Sequence, residues 1–248
     1  MAKRNEIIEY CNDFLNISEF DDLSMNGLQV QGREEIRTIV LGVSVSERLF
    51  QIAMSENADM IIVHHGAFWK NAPSPYVLTG IHGKRMALLI RNDINLAAYH
   101  LPLDAHPEIG NNAIIMKKLH IYPIQPVEVG FLGHLKSAMT LEKFVEFVNQ
   151  ELQTISLAFP FGSPDVRRIL VISGGSSRYY QLALDNKADT FLGGDIKENV
   201  VRELEEVGLN FIHAGHYNTE KFGVQALGEK LHQQFHLTCK FVDIPNPV

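Results

Sequence analysis

Short apolar runs alternate with amphipathic segments through most of the chain. The apolar runs predict buried β-strands at residues 39–45, 60–63, 94–100, 169–173, 190–192 and 209–213. The amphipathic segments predict helices at residues 46–57, 85–92, 140–152, 176–187 and 196–206. Because strands that alternate with helices are typical of a largely buried sheet, the pattern predicts an α/β protein.

An internal repeat relates the two halves of this pattern. Two segments align: residues 58–59 with 188–189 at an offset of 130, and His100 and Asp104 with His216 and Glu220 at an offset of 116. The smaller second offset indicates an insertion in the first half. It falls in residues 66–83, a loop rich in Gly, Pro and aromatic residues that we expect to cover a functional site.

The repeat predicts two pseudo-symmetric α/β halves, residues 1–125 and 126–248, with a metal site between them. The boundary is expected in residues 122–133, because Pro123 and Pro126 would interrupt regular structure there.

His64 and His65 end one predicted strand and are followed by Gly66. In α/β sheets, ligands bind beyond the carboxyl ends of the strands, which is where these imidazoles would emerge. Neighbouring residues on a strand point to opposite faces, so the two side chains would serve two metal ions more easily than one. Taken alone, the pair leaves an alternative open, in which one histidine caps the turn and the other lies on the surface.

Two histidine–carboxylate pairs of equal spacing occupy matching points of the repeat: His100 with Asp104, and His216 with Glu220. Imidazole and carboxylate together are ligands for Zn, Fe or Mn, and the lack of cysteine ligands disfavours a purely structural zinc site. One such pair is weak support for a metal site. Two pairs in one repeat, with a His-His pair in the same fold, indicate a metal centre more strongly.

The local structure at these pairs is expected to differ. Pro102 would disrupt a helix, so the first pair is predicted on a strand end that runs into a loop. In the second pair, Asn218 or Thr219 is predicted to cap a helix whose first turn carries Glu220.

Several other residues have two open interpretations. Residues 174–177 (GGSS) join a strand to a helix and could bind a phosphate, although a tight turn is favoured because no Walker or GxGxxG sequence is present. Asp195 and Glu198 could approach the metals, but a helix N-cap is favoured for Asp195. His106, Glu108 and Asn111 could support Asp104 or could belong to a solvated loop. Phe68 and Trp69 could stack on a planar substrate or could pack within their own loop.

Composition narrows the class of protein. The 248 residues are 46% hydrophobic, which is enough for a sizeable core. A net charge of -7 argues against general binding to nucleic acid backbones. No apolar stretch predicts a membrane span, and two distant cysteines suggest neither a disulfide framework nor a thiolate zinc site. The expected compartment is the cytoplasm.

The chain resembles the GTP cyclohydrolase I type 2 homologues, also called NGG-interacting-factor-three-like proteins. The similarity runs nearly end to end, through SMNGLQVQG (24–32), ADMIIVHHGAFW (58–69), NLAAYHLPLDAHPEIGNN (95–112), HAGHYNTEKFGVQAL (213–227) and FVDIPNPV (241–248). The resemblance implies a site for two divalent ions per chain (Fe, Zn or Mn), and a ring-shaped homohexamer with its sites facing an inner cavity. The implied metal ligands are His64, His65, Asp104, His216 and Glu220.

The sequence is compatible with two functions. In the first, the protein is a metal-dependent hydrolase in which Asp104 or Glu220 bridges the ions. His100, which is not among the family's ligands, then acts in acid–base catalysis or contacts the substrate. By resemblance alone, its substrate is a nucleotide or another small heterocycle. In the second, it is a non-catalytic, metal-bound oligomeric scaffold or regulatory protein that acts through protein partners.

Overall fold

The computed structural model of the protein describes residues 1–72 and 77–248. It divides into two compact units, each assembled from a long and a short segment of the chain. The units are residues 1–103 with 223–244, and residues 104–222 with 245–248. No helix within the described ranges combines the length and the apolar character needed to cross a membrane. The repeat-based division at residues 125 and 126 stays a prediction.

The elements are numbered in chain order. The strands are Ala2–Lys3 (β1), Gly27–Val30 (β2), Glu35–Ile36 (β3), Thr38–Ser44 (β4), Met60–His65 (β5), Asn95–Ala98 (β6), Tyr122–Val127 (β7), Gly130–Thr140 (β8), Leu157–Phe159 (β9), Asp165–Ile172 (β10), Thr190–Gly193 (β11), Asn210–His213 (β12) and Thr238–Phe241 (β13). The α-helices are Arg4–Phe14 (α1), Glu47–Ser55 (α2), Gly80–Arg91 (α3), Leu101–Ala105 (α4), Asn111–Lys118 (α5), Leu141–Leu152 (α6), Tyr180–Asp185 (α7), Glu198–Val207 (α8) and His216–Phe235 (α9). Short 3-10 helices occur at Ile17–Glu19 and Ser177–Tyr179.

The first unit contains a sheet with the strand order β13-β4-β5-β6-β2. The first four strands are parallel and β2 runs antiparallel to β6. Strands β4, β5 and β6 confirm three of the sequence predictions. β4 (TIVLGVS) and β5 (MIIVHH) are buried except at their ends, as expected for parallel strands that are covered on both faces.

Helix α2 shows how the sequence sets the packing of this unit. The Ser46 hydroxyl accepts a hydrogen bond from the Leu49 N–H at 3.1 Å and so caps the helix. Leu49, Phe50 and Ala53 are fully buried in one cluster with residues of β4 and β5. Burying the Leu and Phe side chains stabilises the fold by roughly 1.5–3 kcal/mol each, relative to leaving them in water.

The second unit contains a sheet with the strand order β7-β8-β10-β11-β12-β9. Strands β10, β11 and β12 are parallel, and the remaining pairings are antiparallel. Helix α6 begins after Thr140, whose hydroxyl accepts the Lys143 N–H, and it buries Phe144 and Val148 in the core of this unit. The predicted helix over residues 140–152 is confirmed.

The two prolines of residues 122–133 both lie within a strand, β7. The register of the β7–β8 pairing shifts between Tyr122 and Gln125, at Pro123, whereas the pairing is regular at Pro126, so the predicted interruption is confirmed only in part. This strand is at the edge of the sheet and pairs on one side with β8. A proline has no N–H to donate, but on an edge strand that N–H position can face away from the neighbouring strand.

The predicted repeat is visible in the order of the elements and in matching hydrogen bonds. The first unit contains β4-α2-β5-α3-β6 and the second contains β10-α7-β11-α8-β12. Asp59 accepts the backbone N–H groups of residues 37 and 38, and Asp189 accepts those of residues 167 and 168. Asp59 and Asp189, which directly precede β5 and β11, therefore make equivalent hydrogen bonds to the backbone at the neighbouring strands β4 and β10.

A second matched pair refines the alignment near the site. Asn95 at the start of β6 bonds to the backbone of residues 32 and 33, and Asn210 at the start of β12 bonds in the same way to residues 162 and 163. These asparagines are 115 residues apart, whereas His100 and His216 are 116 apart. One residue separates β6 from His100, whereas two separate β12 from His216. The extra residue of the second unit therefore lies between β12 and His216.

Candidate metal site

Strand β5 ends in His64 and His65, as predicted. His64 is fully buried, and its Nδ1 lies 3.0 Å from the carbonyl oxygen of Tyr99. Because a carbonyl can only accept, Nδ1 carries the proton and Nε2 has the lone pair that a metal would use. The Nδ1 of His65 lies 3.0 Å from the Ser44 hydroxyl at the end of β4.

His100 completes a cluster of three imidazoles in the first unit. Its ring centroid lies 5.0 Å from that of His64 and 5.6 Å from that of His65, and the latter two rings are 4.6 Å apart. One nitrogen of each ring lies within 4.8 Å of the others. The His64 and His65 rings therefore lie close together, although neighbouring residues on a strand were expected to point to opposite faces.

Asp22, which was not predicted from the sequence, holds His100 in place. Asp22, which is 2% exposed, accepts a hydrogen bond from His100 Nδ1 at 2.9 Å. Burial alone would raise the pKa of Asp22, but hydrogen bonds from His100, Asn26 and Ser24 and the charge of His100 outweigh it and hold that pKa well below its usual range. Asn26 also accepts the backbone N–H of His100 at 2.8 Å.

Trp69 packs against this cluster. Its ring centroid lies 5.1 Å from that of His100 and 6.2 Å from that of His65, and its indole N–H donates to the Gly66 carbonyl at 3.1 Å. The residue also forms a β-bridge with Ser24. Part of the expected covering loop, residues 73–76, lies outside the described residues.

In the second unit, helix α9 begins at His216 and carries Glu220 one turn later. The His216 ring is held on both nitrogens: Nδ1 lies 2.9 Å from Asp195 Oδ2 and Nε2 lies 3.1 Å from Glu220 Oε2. The predicted N-cap role of Asp195 was wrong, since α8 begins at Glu198 and Asp195 bonds to His216 instead. Asn218 or Thr219 was expected to cap α9, but both lie inside its first turn.

The charges around His216 change its protonation. Burial by itself would lower the pKa of His216, but hydrogen bonds to Asp195 and Glu220 and the charges of both carboxylates raise it to about 10. The hydrogen bond from His216 in turn lowers the pKa of Asp195. A metal ion bound by His216 would have to displace this proton, because only a neutral imidazole nitrogen can ligate.

Asp104 is 4% exposed, and it accepts hydrogen bonds from Asn111 Nδ2 at 2.9 Å and from the Ser173 hydroxyl at 2.8 Å. The support expected from Asn111 is therefore present. Asp104 lies in helix α4, not in the predicted loop. Pro102 is compatible with this helix because the first turn needs no N–H from that residue.

Asp104 and Glu220 form a buried pair of carboxylates. An oxygen of one lies within 4.8 Å of an oxygen of the other, and Glu220 is 2% exposed. Gly174 lies against one member of this pair: its φ is +61°, and a Cβ built on it would overlap Glu220 Oε1. Two buried carboxylates at this separation repel each other unless protons or a cation offset their charge.

The loop at residues 174–177 is a tight turn, as favoured from its sequence. The Gly174 carbonyl accepts the N–H groups of Ser176, Gly194 and Asp195, and the Gly174 N–H donates to the Thr219 hydroxyl. The loop therefore uses two of the backbone N–H groups, those of Gly174 and Ser176, that a phosphate site would need. The His106 ring holds its own loop, since its Nδ1 accepts the N–H groups of Glu108 and Ile109.

Comparison with known proteins agrees with this arrangement of elements. The family described as Duf34/NIF3 (NGG1p interacting factor 3) matches residues 2–247. The chain belongs to the Duf34/NIF3 family. The GTP cyclohydrolase 1 type 2 homologs of Pasteurella multocida and Haemophilus influenzae are 40% and 41% identical to it, over 98% of this chain and 98% of each relative.

Solved structures of the Duf34/NIF3 type share the fold along the whole chain. Protein ybgI, described as having unknown function, has a TM-score of 0.94 and 36% identity over 99% of this chain and 100% of its own. TTHA1606 from Thermus thermophilus has a TM-score of 0.91 and the same identity and coverage. Reduced HcgD from Methanocaldococcus jannaschii has a TM-score of 0.85 and 26% identity over 98% of both chains.

Proposed function

We propose that the protein binds two divalent metal ions per chain through His64, His65, Asp104, His216 and Glu220, and that it is a metal-dependent hydrolase. The observation that carries the proposal is the buried Asp104–Glu220 pair, whose oxygens lie within 4.8 Å of each other. Two carboxylates buried side by side, with the His216 imidazole 3.1 Å from Glu220, form a donor set of the kind that holds a divalent cation.

The donor types fit a transition metal. Imidazole and carboxylate ligands suit Zn, Fe and Mn, and the two cysteines are not part of either cluster. Hydrogen bonds from His64 to Tyr99 and from His216 to Asp195 orient ligand rings, as is usual around protein-bound metals. Ions held there would supply Lewis acidity, which makes water a nucleophile near neutral pH.

His100 is the proposed acid–base group. It is close to His64 and His65, yet its ring is tied to Asp22 and its side chain keeps 19% exposure. The chain can therefore hold or move a proton at His100 Nε2. Trp69 would form one wall for a planar substrate, because its ring borders the same imidazoles. A nucleotide or another small heterocycle is the proposed substrate class, by analogy with the curated relatives' name.

The experiment that tests this function is a screen of the metal-loaded protein against nucleotides, pterins and phosphoesters. Turnover that disappears on chelation and returns when metal is added back would support the hydrolase. Full metal occupancy without turnover of any compound would instead favour a non-catalytic scaffold that acts through protein partners. This alternative is considered because the family is described as an interacting factor.

The proposal extends to assembly and location. Resemblance to the family suggests a ring-shaped homohexamer in the cytoplasm. Light scattering coupled to size exclusion measures the number of chains directly, and fractionation of cells that express a tagged chain measures the location.

A further inference from the structure

The carboxylate of Asp22 receives four hydrogen bonds. Its Oδ1 accepts His100 Nδ1 at 2.9 Å and the Ser24 N–H at 3.0 Å. Its Oδ2 accepts Asn26 Nδ2 and the Leu101 N–H, both at 2.9 Å. Asp22 lies between the 3-10 helix Ile17–Glu19 and β2, and therefore far in sequence from the histidine that it contacts.

These contacts hold His100 at two points. The backbone N–H of His100 donates to Asn26 Oδ1 at 2.8 Å, while its ring donates from Nδ1 to Asp22. A carboxylate that already accepts N–H groups on both oxygens has no proton to give to the ring. The shared proton therefore belongs to Nδ1, and Nε2 of the neutral ring keeps its lone pair. The lowered pKa of Asp22 is consistent with an ionised carboxylate.

We propose that Asp22 is a positioning residue that sets the tautomer and the orientation of His100, so that Nε2 is the nitrogen that exchanges protons in the reaction. The catalytic part rests on the proposed function. In the step inferred, Nε2 takes a proton from the attacking water as its oxygen bonds to the substrate. The same Nε2 then gives that proton to the leaving group as the bond between that group and the substrate breaks, while the Nδ1 proton stays on Nδ1 beside Asp22.

A merely structural role for Asp22 is the competing explanation, because two of its four bonds are to backbone N–H groups. Asp59 provides the matched control. It is also buried, accepts the N–H groups of Arg37 and Thr38, and pairs with the Arg33 guanidinium. Asp59→Asn therefore removes a buried carboxylate with a similar backbone role in the same unit, away from the imidazole cluster.

The test is nitrogen NMR of Zn²⁺-loaded protein with ¹⁵N-labelled histidine, at a pH where the His100 ring is neutral. A His100→Gln variant identifies the His100 resonances. In the parent and in Asp59→Asn, His100 should carry its proton on Nδ1. In Asp22→Asn the side-chain amide can donate to the ring, so the proton should move to Nε2, and turnover should fall by roughly 10²- to 10⁴-fold.

Two results would overturn the positioning role: a parent His100 protonated on Nε2, or an Asp22→Asn protein with the tautomer of the parent. The tautomer of the parent is measured without any variant, so this test applies even if Asp22→Asn does not fold. Failure of the hydrolase proposal looks different. In that case the parent turns over no substrate, and the tautomer of His100 alone decides whether Asp22 positions it.

Discussion

At the scale of single residues, both histidines that the repeat aligns are held through Nδ1 by a carboxylate. Asp22 holds His100 and Asp195 holds His216, each at 2.9 Å. The two carboxylates are not equivalent in the repeat, because Asp195 aligns with His65 and Asp22 precedes the repeated strands. Each unit therefore orients its imidazole with a carboxylate from a different part of the chain.

The roles of the two histidines can be separated by metal content. We predict that His216→Ala lowers metal occupancy, because an imidazole donor is lost and the buried Glu220 and Asp104 carboxylates keep their charge. His100→Ala should retain both ions. Elemental analysis of both variants is the measurement. Equal depletion in the two would mean that His100 is a sixth ligand.

A second prediction concerns turnover by the His100→Ala protein. Under the hydrolase proposal it should lose roughly 10²- to 10⁴-fold in kcat with its metal in place, the usual range for a lost acid–base group. The assay uses whichever substrate the screen identifies. Parent-like kcat at full metal occupancy would remove His100 from the chemistry.

The pH dependence of the metal-free protein tests the environment of His216. Its pKa in the folded chain is raised from 6.5 to about 10, so the protonated ring stabilises the fold fully below pH 6.5 and loses that effect as the pH rises through about 10. We predict that the parent unfolds at higher urea concentration than His216→Gln near pH 6.5, and that the difference shrinks toward pH 10. A difference that is constant over this range would contradict the assigned partners.

The candidate ligands could be predicted from sequence, but the residues that orient them could not. His64 and His65 end an apolar run, and the other pairs share a spacing, so their pattern is local. Asp22 is 78 positions from His100, and Ser173 is 69 from Asp104. Such contacts depend on how loops close over the sheet, and a single sequence carries no periodic signal for them.

At the scale of elements, replacing Gly174 in the tight turn should affect the metal site as well as stability. Gly208, which has a similar φ, is the control for the effect on stability alone. Gly174 and Gly208 have φ of +61° and +69°, so alanine at either strains the backbone by about 1–2 kcal/mol. A Cβ on Gly174 would also overlap Glu220 Oε1, whereas on Gly208 it meets only the Phe161 carbonyl at 3.5 Å. We predict that both variants lose stability but that only Gly174→Ala loses metal.

Thermal unfolding and elemental analysis of the two alanine variants are the measurements. Normal metal content in Gly174→Ala would show that Glu220 can shift without losing its role. Metal loss in Gly208→Ala would instead point to a general effect of destabilisation in this unit.

Many of the elements were predictable, and two of the errors share one cause. Buried parallel strands such as β4 and β5 are continuous apolar runs, which few other structures produce. These two errors occurred at prolines: Pro102 lies in helix α4, and Pro126 lies in strand β7 without disturbing its pairing. Proline excludes only the N–H bond, and a helix start or a sheet edge does not require it.

At the scale of the whole molecule, the repeat predicted the order of elements in each unit, and hydrogen bonds from Asp59 and Asp189 repeat that match in detail. Assembly is a second property at this scale. We predict a homohexamer on family resemblance, so light scattering should give six times the chain mass. A monomer or dimer at micromolar concentration would contradict it.

The central claim is that each chain holds two divalent ions, and metal stoichiometry tests it most directly. The protein is purified without chelator, saturated with Zn²⁺, Fe²⁺ or Mn²⁺, and freed of excess metal. Elemental analysis then gives the metal concentration and amino-acid analysis the protein concentration, and their ratio should be two ions per chain. Variants of His64, Asp104 and Glu220 should each contain fewer. Saturation of the parent at one ion per chain, or at none, would contradict the account.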